Sequence, residues 1–167
     1  MCYIINHGGA IIVSDKIKER EIQIKRLQQN LSPIRKISGW TAEVLGDKIG
    51  VTKQTISNLE NNKTLMSFTQ YIAIRSVLDY EIANNEENEV LPKVVALLLD
   101  CEDELDEADY SKVQDVVGTV AATAAGGMST DKIEMVFDVL MKSLPFVAPL
   151  IGVIIGTSTN WPKKLFK

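Results

Sequence analysis

From residue 14 onward, Ile17, Ile24, Leu27 and Leu31 follow one another at intervals of seven, three and four, which lines one face of a helix. Lys16, Lys18, Lys25 and Arg26 lie largely off that stripe. Residues 14–30 therefore read as an amphipathic helix packed on the domain that follows. The alternative readings are a dimerisation arm or a basic helix reaching phosphates, and the stripe is too short for a coiled coil. Ahead of it, residues 1–13 carry two apolar clusters broken by Gly8 and Gly9, which predicts a loosely ordered extension. Their start lacks the basic run of a secretion signal. Ser32-Pro33 predicts a fresh helix start, with Ser as cap and Pro where a missing N–H costs nothing. Ile34 and Ile37 supply its core contacts, Gly39 ends it, and Trp40 plugs the core.

The second half of the chain is patterned as helices too. Ser67 and Gln70 form a capping box before a helix carrying Tyr71, Ile72, Ile74, Arg75 and Leu78. Residues 85–89 are polar and acidic and predict a linker, with an acidic helical region over 90–167 beyond it. Val94, Val95, Leu97, Leu98 and Leu99 predict a helix buried on more than one side. Val113, Val116, Val117, Val120 and Ala124 form one stripe, and Ile133, Val136, Phe137, Leu140 and Met141 another. Such stripes need cover, and copies of the same chain are the expected source. Residues 143–162 carry no charge, and Trp161 precedes Lys163 and Lys164 like an interfacial anchor. The apolar core, 144–156, is short for a membrane span and holds Pro145, Pro149, Gly152 and Gly156. A buried helix of an oligomer is the expectation for this tail, and membrane association the alternative.

The most specific stretch is 41–60, TAEVLGDKIGVTKQTISNLE. Leu45, Ile49, Val51, Ile56 and Leu59 are spaced to share one core between two short helices. Thr41 and Thr52 are suited to cap them, Gly46 to let them cross closely, and Gly50 to make the turn. The second helix then presents Lys53, Gln54, Thr55, Ser57 and Asn58, a polar face with one positive charge and no carboxylate.

This stretch resembles the helix-turn-helix of the phage-repressor (XRE/Cro) family of DNA-binding proteins, and the resemblance extends over about residues 31–82. It implies a five-helix domain over 31–84 whose third helix enters the major groove. It also implies a partly buried ion pair between Arg35 and Glu60. Glu60-Asn61-Asn62-Lys63-Thr64 is similar to the family's exit loop, with Asn62 in a Gly slot, and Asn tolerates φ > 0. Where the family often has a phosphate-gripping Gln after Thr41, this chain has Ala42, which offers only its backbone N–H.

Charge changes the picture in one respect. Residues 1–80 hold eleven Lys or Arg and seven Asp or Glu, a net +4. Residues 81–167 hold seven against fifteen, a net −8, and together these make the −4 of the whole chain. A basic front half and an acidic back half suit a nucleic-acid module joined to something else. Cys2 and Cys101 are isolated, which suits a reducing compartment. His7 is the sole histidine, no metal-ligand spacing occurs, and the acidic run 102–109 lacks the Gly of a calcium loop. No nucleophile–base pair or phosphate loop stands out, so neither catalysis, a metal nor a cofactor is expected.

The expectation is an all-α protein: a five-helix repressor-like domain followed by a small helical C-terminal region for oligomerisation or membrane association. It would be a cytoplasmic, nucleoid-associated regulator, a repressor in kind, binding double-stranded DNA as a homodimer or higher oligomer. Lys53, Gln54, Thr55, Ser57 and Asn58 would read bases, Gln54 by pairing its amide with adenine. Thr41, Ala42, Thr52, Lys63 and Thr64 would hold phosphates. The alternatives are a protein-interaction module, such as an antitoxin or adaptor, and a membrane-tethered regulator anchored by 143–162.

Overall fold

The structure is a computed structural model that describes residues 9–101, 104–154 and 161–162, with side chains described from residue 17 to 150 and at 161–162. Among these residues the secondary structure is entirely helical. The elements are α1 (Gly9–Ile37), α2 (Ala42–Ile49), α3 (Lys53–Glu60), α4 (Phe68–Asn84), α5 (Val90–Val95), α6 (Glu107–Ala125), α7 (Thr130–Lys142) and α8 (Val147–Ile154). Helix α5 runs on into a π-helical turn, Ala96–Asp100.

Helix α1 is longer than its sequence suggests. It is one 29-residue helix with Pro33 inside it, so the expected restart at Ser32-Pro33 does not occur. An internal proline removes one hydrogen bond and costs about 3 kcal/mol. Around it, however, Leu27, Leu31, Ile34 and Ile37 are all buried, and a break at Pro33 would withdraw part of that row from the core. The helix also begins at Gly9, within the segment expected to be loosely ordered, while residues 1–8, His7 among them, lie outside the described residues.

Residues 85–89 do not separate two cores. The Asn88 side chain donates to the Ile37 carbonyl at 2.9 Å and accepts from the Leu91 amide at 3.1 Å, pinning the turn to the end of α1. A single apolar cluster runs from Leu27 and Ile56 through Leu97 to Val117 and Phe137. Helix α6 lies along α1, where the buried Asn30 donates to the Tyr110 hydroxyl at 2.8 Å and accepts from the Gln114 amide at 3.0 Å. The Tyr110 hydroxyl in turn donates to the Leu98 carbonyl at 3.1 Å, and burial raises the phenol's pKa above the ordinary value. Asp106, in the acidic run, caps α6 by accepting from the Asp109 amide.

The two C-terminal stripes find their cover inside the chain. Val113, Val117, Val120, Phe137 and Met141 are buried against the shared core, and Ile133, Val136 and Leu140 pack on its edge. What α7 leaves exposed is a smaller patch, Met135 and Val139, at 62% and 61%. Of the uncharged stretch 143–162, residues 155–160 lie outside the described residues. Helix α8 has eight residues, and no described helix is long and apolar enough to cross a membrane. Trp161 is buried against α4: its indole N–H donates to Asp79 at 2.5 Å and its ring meets Tyr71 edge-on at 5.9 Å. Beside it, the wholly buried Arg75 pairs with Asp100 at 3.0 Å, below the Trp161 ring at 5.3 Å.

Candidate nucleic-acid interface

Helices α2 and α3 are fixed by short-range chemistry. The Thr41 hydroxyl accepts from the Val44 amide at 3.1 Å, and the Thr52 hydroxyl from the Thr55 amide at 3.2 Å, so both helices are capped by their own threonines. Gly50 closes α2 at φ +73°, in the left-handed region. A Cβ on Gly46 would stand 2.6 Å from the Val51 carbonyl oxygen, so only glycine lets α2 meet the turn this closely. Ile56 and Leu59 are fully buried, which fixes the roll of α3 about its axis.

That roll points Lys53 and Gln54 into solvent, with Thr55, Ser57 and Asn58 half-exposed beside them. The Gln54 amide donates to the Asn58 side-chain oxygen at 2.8 Å, so the two are held as a pair one turn apart. The first turn of α3 carries no acidic residue, so no carboxylate of that turn offsets its positive dipole end. Thr41 and Thr52 flank this surface and are exposed, and Ala42 is half-buried. Next to Ala42, exposed Glu43 occupies the first turn of α2 and sets a carboxylate against any phosphate approaching there.

Behind α3 the expected ion pair is present and bidentate. Arg35 reaches Glu60 through Nε at 2.6 Å and through a terminal nitrogen at 3.0 Å, while its other terminal nitrogen donates to the Trp40 carbonyl at 2.7 Å. Both side chains are 12% exposed, so the pair is largely shielded from water. Trp40 is buried, as expected of a plug, with the Lys48 ammonium over its ring at 4.8 Å. Asn62 takes φ +54°, the conformation its Gly-like position demands, and Lys63 and Thr64 follow on an exposed loop.

One residue of this site does not stand out in the sequence. Gln28 of α1 is 6% exposed, and its amide donates to the Leu59 carbonyl at 3.1 Å and the Thr64 carbonyl at 2.7 Å. Its oxygen accepts from the Met66 amide at 2.8 Å. It clamps the exit loop from both ends. The available signal is a polar residue directly beside the apolar stripe, between Leu27 and Leu31.

A family model described as helix-turn-helix matches residues 34–83, the span from the last turns of α1 through α4. Residues 34–83 thus carry a helix-turn-helix. The chain is also similar to the antitoxin HipB of Escherichia coli O6:H1 (strain CFT073), with 37% identity over 54 residues. That similarity takes in 32% of this chain and 57% of the relative, so the chain spans little over half of the relative's length. No solved structure matches the chain significantly. The helix-turn-helix domain thus accounts for α2, α3, α4 and the end of α1, and leaves both the first half of α1 and everything after α4 to be explained from the structure.

Proposed function

We propose that the protein is a sequence-specific DNA-binding regulator that inserts α3 into the major groove. The observation that carries this is the outward face of α3, where Lys53 and Gln54 stand exposed, Gln54 bonded to half-exposed Asn58, with no carboxylate among them. Gln54 reads adenine through its amide, Lys53 takes a guanine or a phosphate, and Thr55, Ser57 and Asn58 meet neighbouring bases. Thr41, Ala42, Thr52, Lys63 and Thr64 hold the backbone, which sets register without reading sequence. With DNA as its ligand the protein works at the nucleoid, as a repressor that occupies its site. The exposed Met135 and Val139 suit pairing with a second copy, which would match a two-fold operator.

The test is a pair of substitutions measured on a selected duplex and on random sequence. Gln54→Ala lowers affinity for the selected site by about 1–3 kcal/mol and leaves random duplex unchanged, whereas Lys63→Ala weakens both alike. Equal effects of both variants on both duplexes would overturn the assignment of roles.

The resemblance to HipB favours a second reading, in which the domain belongs to an antitoxin and the acidic half captures a basic protein. Recovery of a stoichiometric cationic partner with the intact chain, together with no measurable duplex affinity, would select that reading over the first.

A further inference from the structure

Helix α1 runs past the helix-turn-helix domain by more than twenty residues, from Ile34, where the family match starts, back to Gly9. This stretch is positioned by Gln28, whose three bonds to Leu59, Thr64 and Met66 lay α1 alongside the exit loop. Between them is a groove of about 430 Å³, with Lys25 on the α1 wall and Asn62 and Leu65 on the loop wall. Lys25 is exposed, and so is Lys18 seven residues earlier, nearly two turns and roughly 10 Å along the same face.

The other basic residues of this segment whose side chains are described are turned inward. The Arg20 guanidinium lies 4.2 Å over the Phe68 ring and that of Arg26 lies 4.9 Å over Tyr110. Lys18 and Lys25 are thereby left at the surface, Lys25 on the groove shared with the loop that carries exposed Lys63 and Thr64, and Lys18 further along the helix. We infer that the part of α1 ahead of the helix-turn-helix is a second DNA-backbone contact, in which Lys25 and Lys18 continue the line of phosphates begun by Lys63. Exposed Glu21 lies between the two lysines on the groove wall and reduces the net charge of this face to +1. The contact therefore lengthens the footprint and adds to affinity without choosing bases. This inference rests on the DNA-binding reading above and uses the same surface, the exit loop, as its starting point.

Phosphate contacts are sequence-independent, so a random-sequence duplex is a sufficient probe for the full chain, with anisotropy read over a range of salt. Each phosphate that a lysine no longer neutralises lowers the slope of log affinity against log salt by roughly 0.9. The double variant Lys18→Gln/Lys25→Gln is expected to lose close to two units of slope, Lys63→Gln close to one, and Glu21→Gln is expected to bind more tightly than the parent. An unchanged slope in the double variant beside a lowered one in Lys63→Gln overturns the inference and leaves the DNA-binding reading standing. If the intact chain binds no duplex, or Lys63→Gln also leaves the slope unchanged, the backbone-contact reading of the exit loop fails and this inference falls with it. Melting temperatures of the variants, expected to equal that of the parent because these side chains are exposed, separate weaker phosphate binding from a damaged fold.

Discussion

Gln28 offers a direct test of how the exit loop is held. Replacing it by Met keeps length and volume but removes all three bonds to the loop. The Leu59 carbonyl keeps a partner, because the Asn62 amide reaches it at 3.1 Å. The Thr64 carbonyl can be rehydrated in part, since Thr64 is exposed. The Met66 amide cannot, because Met66 is 5% exposed. A buried group left unbonded costs about 1–3 kcal/mol, so Gln28→Met should lose about 2–4 kcal/mol of stability. That is a large part of the roughly 5–15 kcal/mol that holds a domain of this kind together. Gln28→Glu tests the direction of the bonds. It keeps the acceptor for Met66 but turns a carboxylate on two carbonyl oxygens, so at neutral pH it should be at least as damaging. It should recover as pH falls, starting above the ordinary glutamate range, because burial and the two facing carbonyls favour the protonated carboxyl, which can donate. Urea unfolding with a constant m-value reads both. A Gln28→Met variant within about 0.5 kcal/mol of the parent, or a Glu variant indifferent to pH, would refute the clamp.

Arg35→Met and Glu60→Gln should each cost about 2–3 kcal/mol, toward the low side for broken ion pairs because water still reaches both groups. Their double variant should recover at least about 1 kcal/mol in a mutant cycle, and strict additivity would show that the pair carries no coupling. Gly46→Ala forces its methyl to within 2.6 Å of the Val51 oxygen, so it should lose about 1–3 kcal/mol in thermal unfolding and weaken duplex binding by moving α3. A parent-like melting curve and affinity would mean that α2 and the turn are more loosely joined than they look. Trp161→Phe keeps a ring on Tyr71 but leaves Asp79 without its donor, and should cost about 1–2 kcal/mol by chemical denaturation. No change would place Trp161 off α4. Glu134 has a raised pKa because it shares a hydrogen bond with Glu89, next to Lys93. The folded chain then holds that proton more tightly than the unfolded one, so this pair's contribution falls as pH rises through the raised value. Glu134→Gln should flatten that fall, and an unaltered stability-versus-pH curve would count against the carboxyl pair.

The helix-turn-helix is legible in the sequence because its determinants are local. Thr41 and Thr52 cap within three residues, Gly46 and Gly50 act where they stand, and Asn62 adopts the positive φ its neighbours require. The Arg35–Glu60 pair, 25 residues apart, is reached by resemblance to a family rather than by pattern. What escapes is the choice of partner at long range. Gln28 finds Thr64 across 36 residues, Asn30 finds Gln114 across 84 and Trp161 finds Asp79 across 82, and no local periodicity encodes such pairings. The C-terminal stripes are helix faces, as their spacing predicts, yet periodicity states only that a face must be covered. It does not say whether the cover is another helix of the same chain or a second copy, and here α1 and α5 supply it. Pro33 misleads for the complementary reason: a local rule favours a helix start there, and four buried side chains of α1 outweigh it.

The same long-range contacts decide how the basic and acidic halves act on each other. Arg75 of α4 is wholly buried, yet among the described residues only one of its terminal nitrogens is bonded, to Asp100, and its Nε and other terminal nitrogen find no partner there. A guanidinium so placed is costly unless the groups that cover it contribute elsewhere. Here they do: Trp161 covers the guanidinium while bonding Asp79 and meeting Tyr71, and Asp100 ends the π-helical turn that lines α1. Detaching the acidic half would therefore take Asp100 away from Arg75, leave the guanidinium to water, and strip from α1 the cover that α5, the π-helical turn and α6 supply. The two halves differ in charge but share one core, so the acidic half is a fixed part of the field around α3. At physiological salt that field decays over about 8 Å. Helix α3 packs on α1 and α2 while α6 lies along α1, so most of the −8 sits on other elements than those presenting Lys53 and Lys63. A net-negative protein can in this way keep a locally positive surface for phosphate: the sign that matters is the sign within a screening length of the contact, not that of the chain.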